Sequence, residues 1–590
     1  MLSASDQRPV AGEQSSARRP SRFSGLGFRS VNGLAAILVL VLIVLPMLAL
    51  LIQAFWPNVF SVTPNWQFSL EGFASIFGSP YTFRAVFDSF GLAIFTAIVA
   101  TIMGGGVAFL LEWVTIPGQG FFNGFLWLVL LSPSFLIGDG WQFLIGPSGV
   151  FGTGALGHLL LSPLGVSMVL ALKLFPYATV AISGPLRGIG QDLFYAARLS
   201  GASSFRAFRR VVLPLLIPAA AAGALIVLAE VLSDYGVAST LAQSANFPLM
   251  TYSIYAAMSI FPVDFAQAAA MSVILVALVS ISQWVERRVV AKRGYVTRVA
   301  GSKSLAKQPT RHPWLWVILL SLLFVVALLL PASGIVLESV EKSLTGLQGG
   351  FHVTFAYYRG LIHANYALGG LVRSLIYAVA AATIGLGAGI VVSIAWWRQG
   401  GWLVSALKVL MTTTIAIPGI VLGAGYIFFW NQPFFSNVGL NVYGTPMILM
   451  LGYLGGSLPY AVRVASGSMV QIPPNAIFAA RLSGAGLTRI IRKVFVPMMR
   501  DTWFRVWLII FAGVVFELPV SQLLYPPGGP TLAVSIAHQT VNNANVQIGA
   551  ALTVVSSLVI SLIVMTFVVI QRRGQRAPAA EQAAAGSTGL

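Results

Sequence analysis

The sequence predicts an all-α polytopic membrane protein of about twelve transmembrane helices, arranged as two parallel six-helix repeats. Three observations carry this prediction. First, the 590-residue chain is 57% hydrophobic and only 9% charged, with a mean hydropathy of +0.85. Its apolar runs repeatedly reach the roughly 20 residues that cross about 30 Å of hydrocarbon as helix, and lipid cannot satisfy the open backbone of a strand. Second, the net charge of +19 comes from Lys and Arg clustered in short segments between the runs. That is the pattern of membrane topology, and with no soluble basic domain there is no nucleic-acid partner. Third, blocks of sequence recur at a nearly constant spacing.

Taken in order, residues 1–30 form a polar N-terminal tail with Arg8, Arg18, Arg19, Arg22 and Arg29. The run from Gly33 to Phe55 exceeds the 7–15 residues of a secretory h-region and reads as a retained span with the tail inside. Further spans are expected near 89–111, 122–143, 164–184, 214–233 and 265–285, making 31–286 the first six-span domain. Residues 287–313, with Arg287, Arg288, Lys292, Arg293, Arg298, Lys303, Lys307 and Arg311, read as a basic cytoplasmic linker. The second domain, 314–571, holds spans near 314–336, 374–396, 404–429, 446–466, 498–518 and 547–570. A small-residue tail, 572–590, reads as disordered. The loops on the other side carry few cations, mainly Arg84, Lys342 and Arg359, so both termini are expected in the cytoplasm.

The repeat is extensive. Pro133, Gly138, Gly140, Trp141 and Phe143 match Pro418, Gly423, Gly425, Tyr426 and Phe428 at a spacing of 285. Pro176-Tyr177-Ala178 matches Pro459-Tyr460-Ala461, Gly201 matches Gly484, and Asp234 matches Glu517, each at 283. A constant spacing over four blocks indicates duplication of a whole unit. Six spans is an even number, so the copies share one orientation about an axis along the membrane normal, with a path between them.

The most closely repeated stretch is AARLSGA, Ala196–Ala202 and Ala479–Ala485. Tyr195 and Phe478 precede it. Arg206, Arg209 and Arg210, or Arg489, Arg492 and Lys493, follow it before Pro214 or Pro497. The first copy reads as helix, corner, helix: Gly201 takes the left-handed conformation that ends one helix, and Ser203 or Ser204 caps the next. Charge-based orientation needs no fixed spacing of Gly, Ala and Pro, so the duplication favours a docking role over simple topology-setting or contact with lipid phosphates.

These residues resemble the EAA loop of permease subunits in ATP-binding-cassette importers. The match is carried by Ala196, Ala197, Gly201, Val211, Leu213 and Pro214, and by Ala479, Ala480, Gly484, Val494, Val496 and Pro497. The resemblance implies a type I importer permease, fed by a periplasmic or lipid-anchored solute-binding protein in the bacterial inner membrane. It further implies that each loop, with Arg198 and Ala202 or Arg481 and Ala485 at its corner, seats a coupling helix in one of two ATPase subunits. ATP and Mg would reside in those subunits. The family's acidic first position is Tyr195 in one copy and Phe478 in the other, so docking there would proceed by packing. The fused layout is similar to permeases for ferric iron, thiamine and aminophosphonates, and polyamine carriage belongs to the same machinery. The blocks at 133–143 and 418–428 resemble the ferric branch.

No G-x-x-x-x-G-K-[ST] phosphate loop occurs, and Gly301-Ser302-Lys303-Ser304 is only superficially close. Cysteine is absent, the five histidines are scattered without metal-ligand spacing, and no catalytic constellation is seen. Ionisable residues near spans define the candidate path. Glu230, Asp234 and Glu517 form either an acidic ring suited to a cation, or helix-end carboxylates facing water or pairing with Arg84 or Arg373. Tyr177 and Tyr460 mark either a gate or simple proline kinks. Lys173 and Arg463 are path residues, or snorkel. The rival class is an ion-coupled secondary transporter, whose signature loop would follow the second span; Trp113 to Gly120 carries no such charged signature.

Overall fold

A computed structural model of the chain describes residues 26–587, except 61–64, 147–148, 150, 152–153, 190, 294–306, 343–351, 364, 397–404, 406, 409–410, 412–413, 415–416, 470–471 and 541–544. The first half contains α1 (Val31–Phe55), α2 (Pro80–Trp113), α3 (Gln119–Leu131), α4 (Ser134–Ile145), α5 (Pro163–Gly188), α6 (Gln191–Leu199), α7 (Ser204–Ser233), α8 (Met250–Ser259) and α9 (Phe265–Arg293). The second contains α10 (Pro313–Val340), α11 (Asn365–Trp396), α12 (Gly419–Trp430), α13 (Pro446–Met469), α14 (Pro474–Leu482), α15 (487–515), α16 (Pro519–Leu524), α17 (Leu532–Thr540) and α18 (Val546–Ser587).

Among the described residues nine helices are long and apolar enough to cross a membrane, or ten when α3 and α4 count as one broken span. That break corrects the single span expected near 122–143. Ser132 and Pro133 are both extended (ψ 136°), and the axis turns by 95°. A proline disfavours helix in the residue before it and brings no N–H of its own. An apolar run that continues through Pro133 hides the turn. The span expected near 404–429 falls partly outside the described residues, leaving α12 behind Pro418. The one expected near 498–518 lies in α15, whose middle turns carry Arg500, Asp501 and Arg505.

Two further expectations shift. The backbone of 572–587 continues α18 as helix instead of a disordered tail, in keeping with the helix preference of its alanines. Linker residues 294–306, including Gly301 to Ser304, lie outside the described residues. The linker's end is pinned: Gln308 N–H donates to Trp113 O (2.7 Å), and Lys307 Nζ donates to Leu111 O (3.0 Å). This face also holds the Arg187–Glu112 ion pair between α5 and α2 (2.5 Å) and is called the loop face below.

Each half is completed by the first helix of the other. A Cβ on Gly140 of α4 would stand 2.2 Å from the carbonyl oxygen of Pro331 in α10; one on Gly425 of α12 would stand 2.8 Å from that of Pro46 in α1. Only glycine allows backbones this close, and the two contacts are the same contact repeated. Tyr426, fully buried, donates from α12 to Leu42 O in α1 (2.8 Å). That carbonyl is free because the residue four places on is Pro46, which has no N–H.

The same physics recurs in four places. Segments 40–44, 208–212, 325–329 and 491–495 are π-helical turns, and each is followed two residues later by Pro46, Pro214, Pro331 or Pro497. The missing proline donor loosens the preceding turn into a wider one.

Candidate functional site

The duplicated loops fold alike. In the first, Ala202 N–H donates to Ala197 O (3.1 Å) and Gly201 N–H to Arg198 O (3.0 Å), with Gly201 at φ +84°. This is the paired-bond ending of a helix in which the left-handed residue satisfies the last carbonyls. In the second, Ala485 N–H donates to Ala480 O (3.0 Å) around Gly484 at φ +72°. Ser203 Oγ accepts from Arg206 N–H (3.3 Å) and so caps α7, and Arg198 donates to Ala202 O (3.2 Å) across the corner.

The corner is anchored on one side and bare on the other. Phe194 is buried against Trp113 (centroids 5.0 Å), which also meets Phe208 (5.5 Å). The second loop uses a mixed aliphatic and aromatic anchor of Ile477, Ile490 and Phe495. By contrast, Leu199 is 89% and Leu482 90% exposed. Tyr195, Ala196, Arg198, Arg206, Phe478, Ala479 and Arg489 are also exposed, while Ala197, Ala202, Ala480 and Ala485 are half-buried. The side chain of Arg481 lies outside the described set. Pro214 and Pro497 lie inside continuous helix rather than at its start.

From the corner, α7 runs unbroken for 30 residues to Ser233, about 45 Å at 1.5 Å per residue. There the chain leaves helix at Asp234. A cavity of about 230 Å³ lies between the halves at this point. Its walls include Pro133, Ser134, Glu230 and Asp234 from the first half and Phe516, Glu517 and Pro519 from the second. The structure therefore brings together the three carboxylates singled out from the sequence.

Their local roles are partly structural. Asp234 Oδ1 accepts from Val237 N–H (2.8 Å). Glu517 accepts from the N–H groups of Val520 (2.8 Å) and Ser521 (2.9 Å), capping α16. Neither pairs with Arg84 or Arg373; Arg373 donates to Pro530 O (2.9 Å). Glu230 makes no such cap and has Lys173, Asp234 and Tyr177 as its electrostatic neighbours. Tyr177 also faces Tyr460 across the halves, beside the cavity rather than in its wall. Among the described residues, no three His, Asp or Glu side chains converge closely enough to hold a metal ion. The carboxylates line a cavity between the halves.

Lys173 neither snorkels nor lines this cavity. It is buried, and its Nζ donates to Val129 O (2.7 Å) and Leu130 O (2.8 Å), the carbonyls at the broken end of α3. The bend at Ser132 leaves those acceptors without helical partners, and the lysine supplies one. Arg463 is exposed. Three buried carboxylates were missed: Glu338 and Glu341 at the end of α10, and Asp139, the only ionisable residue of α4. A lone Asp in an apolar run was the available signal.

Fold and site together define a duplicated, multi-pass membrane protein with two like exposed corners and a cavity between its halves lined by three carboxylates. The chain belongs to the family described as the binding-protein-dependent transport system inner membrane component, whose model matches residues 113–291 and 383–577, more than half of its length. It is 25% identical to a probable ABC transporter permease protein, y4fN, of Sinorhizobium fredii, over 60% of this chain and 63% of that one. It is 24% identical to a putative ferric transport system permease protein, FbpB 1, of Haemophilus influenzae, over 52% of this chain and 48% of that one. A putative 2-aminoethylphosphonate transport system permease protein, PhnV, of Salmonella typhimurium is 26% identical over 43% of this chain and 94% of its own. The chain thus spans about half to two thirds of the length of the first two relatives.

Proposed function

We propose that this chain is the transmembrane permease of an ATP-driven importer. It would have its AARLSGA corners in the cytoplasm, each seated on one of two ATPase subunits, and would receive solute from an external binding protein. One observation carries the reading: α7 bears the exposed corner at one end and the cavity carboxylates Glu230 and Asp234 at the other. In the second half, α15 joins the Gly484 corner to Glu517 in the same way. A rigid helix transmits a push at its loop end to its cavity end, so closure of two ATPase subunits would move both cavity walls together. The π-turns before Pro214 and Pro497 supply the one point of give.

In this scheme ATP and Mg stay in the partner subunits, and the chain does no covalent chemistry. The exposed Leu199, Leu482, Tyr195 and Phe478 would dock by apolar packing, ringed by Arg198, Arg206 and Arg489. The solute would be a cation, with ferric iron first, because three carboxylates face one cavity with no facing arginine or lysine in its wall. The phosphonate group of an aminophosphonate would meet that wall with like charge, which ranks it behind iron; thiamine and polyamines are themselves cations and suit the same wall.

The sequence has no cysteine, so single cysteines at Leu199→Cys and Leu482→Cys can be labelled selectively. The expected result is that both are protected from a water-soluble maleimide when the cognate ATPase subunit is present. Equal labelling with and without it, at both sites, would remove the coupling-loop reading.

A further inference from the structure

A second polar cavity, of about 220 Å³, lies beside α4 and is lined by Asp139, Gln142, Thr240, Gln243, Ser244 and Thr540. Thr540 comes from α17, so this cavity also lies between the halves. Along α4, Ser134 lines the first cavity and Asp139 the second, five residues on and about 7.5 Å away along the axis. α4 leads from the loop-face helix α3 toward the opposite face, from which α5 returns to the loop face. The second cavity is therefore the one farther from the docking corners.

Its chemistry is that of acceptors. Asp139 is 4% exposed, and its Oδ2 has no hydrogen-bond partner. The hydroxyl of Thr540, in the same wall, is a polar neighbour of Asp139 but stands outside hydrogen-bond geometry. Gln142 Oε1 accepts from Ser244 Oγ (3.2 Å). No lysine or arginine lines the space. A buried carboxylate oxygen left outside any hydrogen bond is costly to a fold, so its presence calls for an explanation.

The duplication supplies a built-in comparison. At the matching places of the second half, Asp139, Gln142 and Thr240 are replaced by Ala424, Ile427 and Leu523. A Cβ on Gly138 would meet Thr240 Oγ1, and one on Gly423 would meet the Leu523 side chain, so the two backbones pack alike. The fold therefore forms without these polar groups.

We propose that Asp139, with Gln142, Thr240, Ser244 and Thr540, forms an oxygen-lined subsite that holds a positively charged group before it reaches the carboxylate cavity. Hard metal ions take oxygen ligands of this kind, and an ammonium group donates to the same acceptors. One carboxylate among neutral oxygens binds weakly, as a passage requires. The proposal rests on the permease reading and names where on that path the cation is first held.

The test uses the purified full chain in lipid nanodiscs and terbium(III), a hard trivalent ion whose luminescence is excited through nearby tryptophan; Trp141 is two residues from Asp139. Asp139→Asn is expected to weaken terbium binding at least tenfold, and Thr540→Val several-fold, at unchanged melting temperature. Displacement of terbium by putrescine would identify a site open to ammonium groups; failure to displace it would identify a metal-only site. Either result supports the subsite. Undiminished binding by both variants, or no saturable binding by the unaltered chain, would overturn it. ATP-dependent uptake that is unchanged in Asp139→Asn would also overturn the subsite while leaving the permease reading intact. Uptake independent of ATP would overturn the permease reading instead, whatever terbium does.

Discussion

Replacing Gly201 or Gly484 by alanine isolates one physical quantity. Both glycines hold positive φ, +84° and +72°, and a Cβ at either would meet nothing within 4 Å. No neighbour is disturbed, so the cost is the backbone penalty for an L-residue in the left-handed region, about 1–2 kcal/mol. That penalty falls on the corner conformation alone and lowers its population relative to opened forms about 5–30-fold. Hydrogen exchange reads this directly at the amides of Ala202 and Ala485, which bond to Ala197 O and Ala480 O. The expected result is a 5–30-fold loss of protection there, together with a fall in solute moved per ATP hydrolysed. Gly467 is the control: it lies inside α13 with equally open space, and alanine there stabilises by about 1 kcal/mol. If Gly201→Ala and Gly484→Ala leave protection and coupling unchanged, the left-handed corner is not what holds the loops in shape.

Two further substitutions test the interior. Tyr426→Phe removes the one O–H donor shared between Leu42 O (2.8 Å) and Leu451 O (2.9 Å) and is expected to destabilise by about 1–3 kcal/mol. Thermal unfolding in nanodiscs checks it, and an unchanged midpoint would mean that the proline-freed carbonyl needs no partner. Lys173→Met deprives the broken end of α3 of its cation and is expected to cost about 1.5–3 kcal/mol. Adding Glu230→Gln to Lys173→Met is expected to recover part of the loss, because Glu230 is an electrostatic neighbour of the lysine; a purely additive double mutant would show the two to be independent.

The duplication was legible because identity and spacing survive in the letters themselves, and the corner was legible because Gly201 and Gly484 have few other uses. The bend at Ser132–Pro133 was not, since the apolar run continues through it and hydropathy does not register a turn. Nor was the exchange of α1 and α10 between halves. Gly140 and Gly425 announce a close approach, but nothing in the letters says to which helix. Asp139 escaped notice for a related reason: matching the copies finds what they share, and Asp139 opposite Ala424 is a difference. Asp234 and Glu517 were visible as a matched pair, but their capping of the next segment depends on a chain reversal that only the fold displays.

The central claim is that an external ATPase drives this chain through its two corners. Uptake in energised membrane vesicles tests it most directly, with the ion gradients and the ATP supply removed one at a time. The account predicts that uptake of the binding protein's ligand survives an ionophore that collapses the gradients and stops when ATP is depleted or the ATPase subunit is deleted. Uptake that continues without ATP and ends with the ion gradient would contradict it.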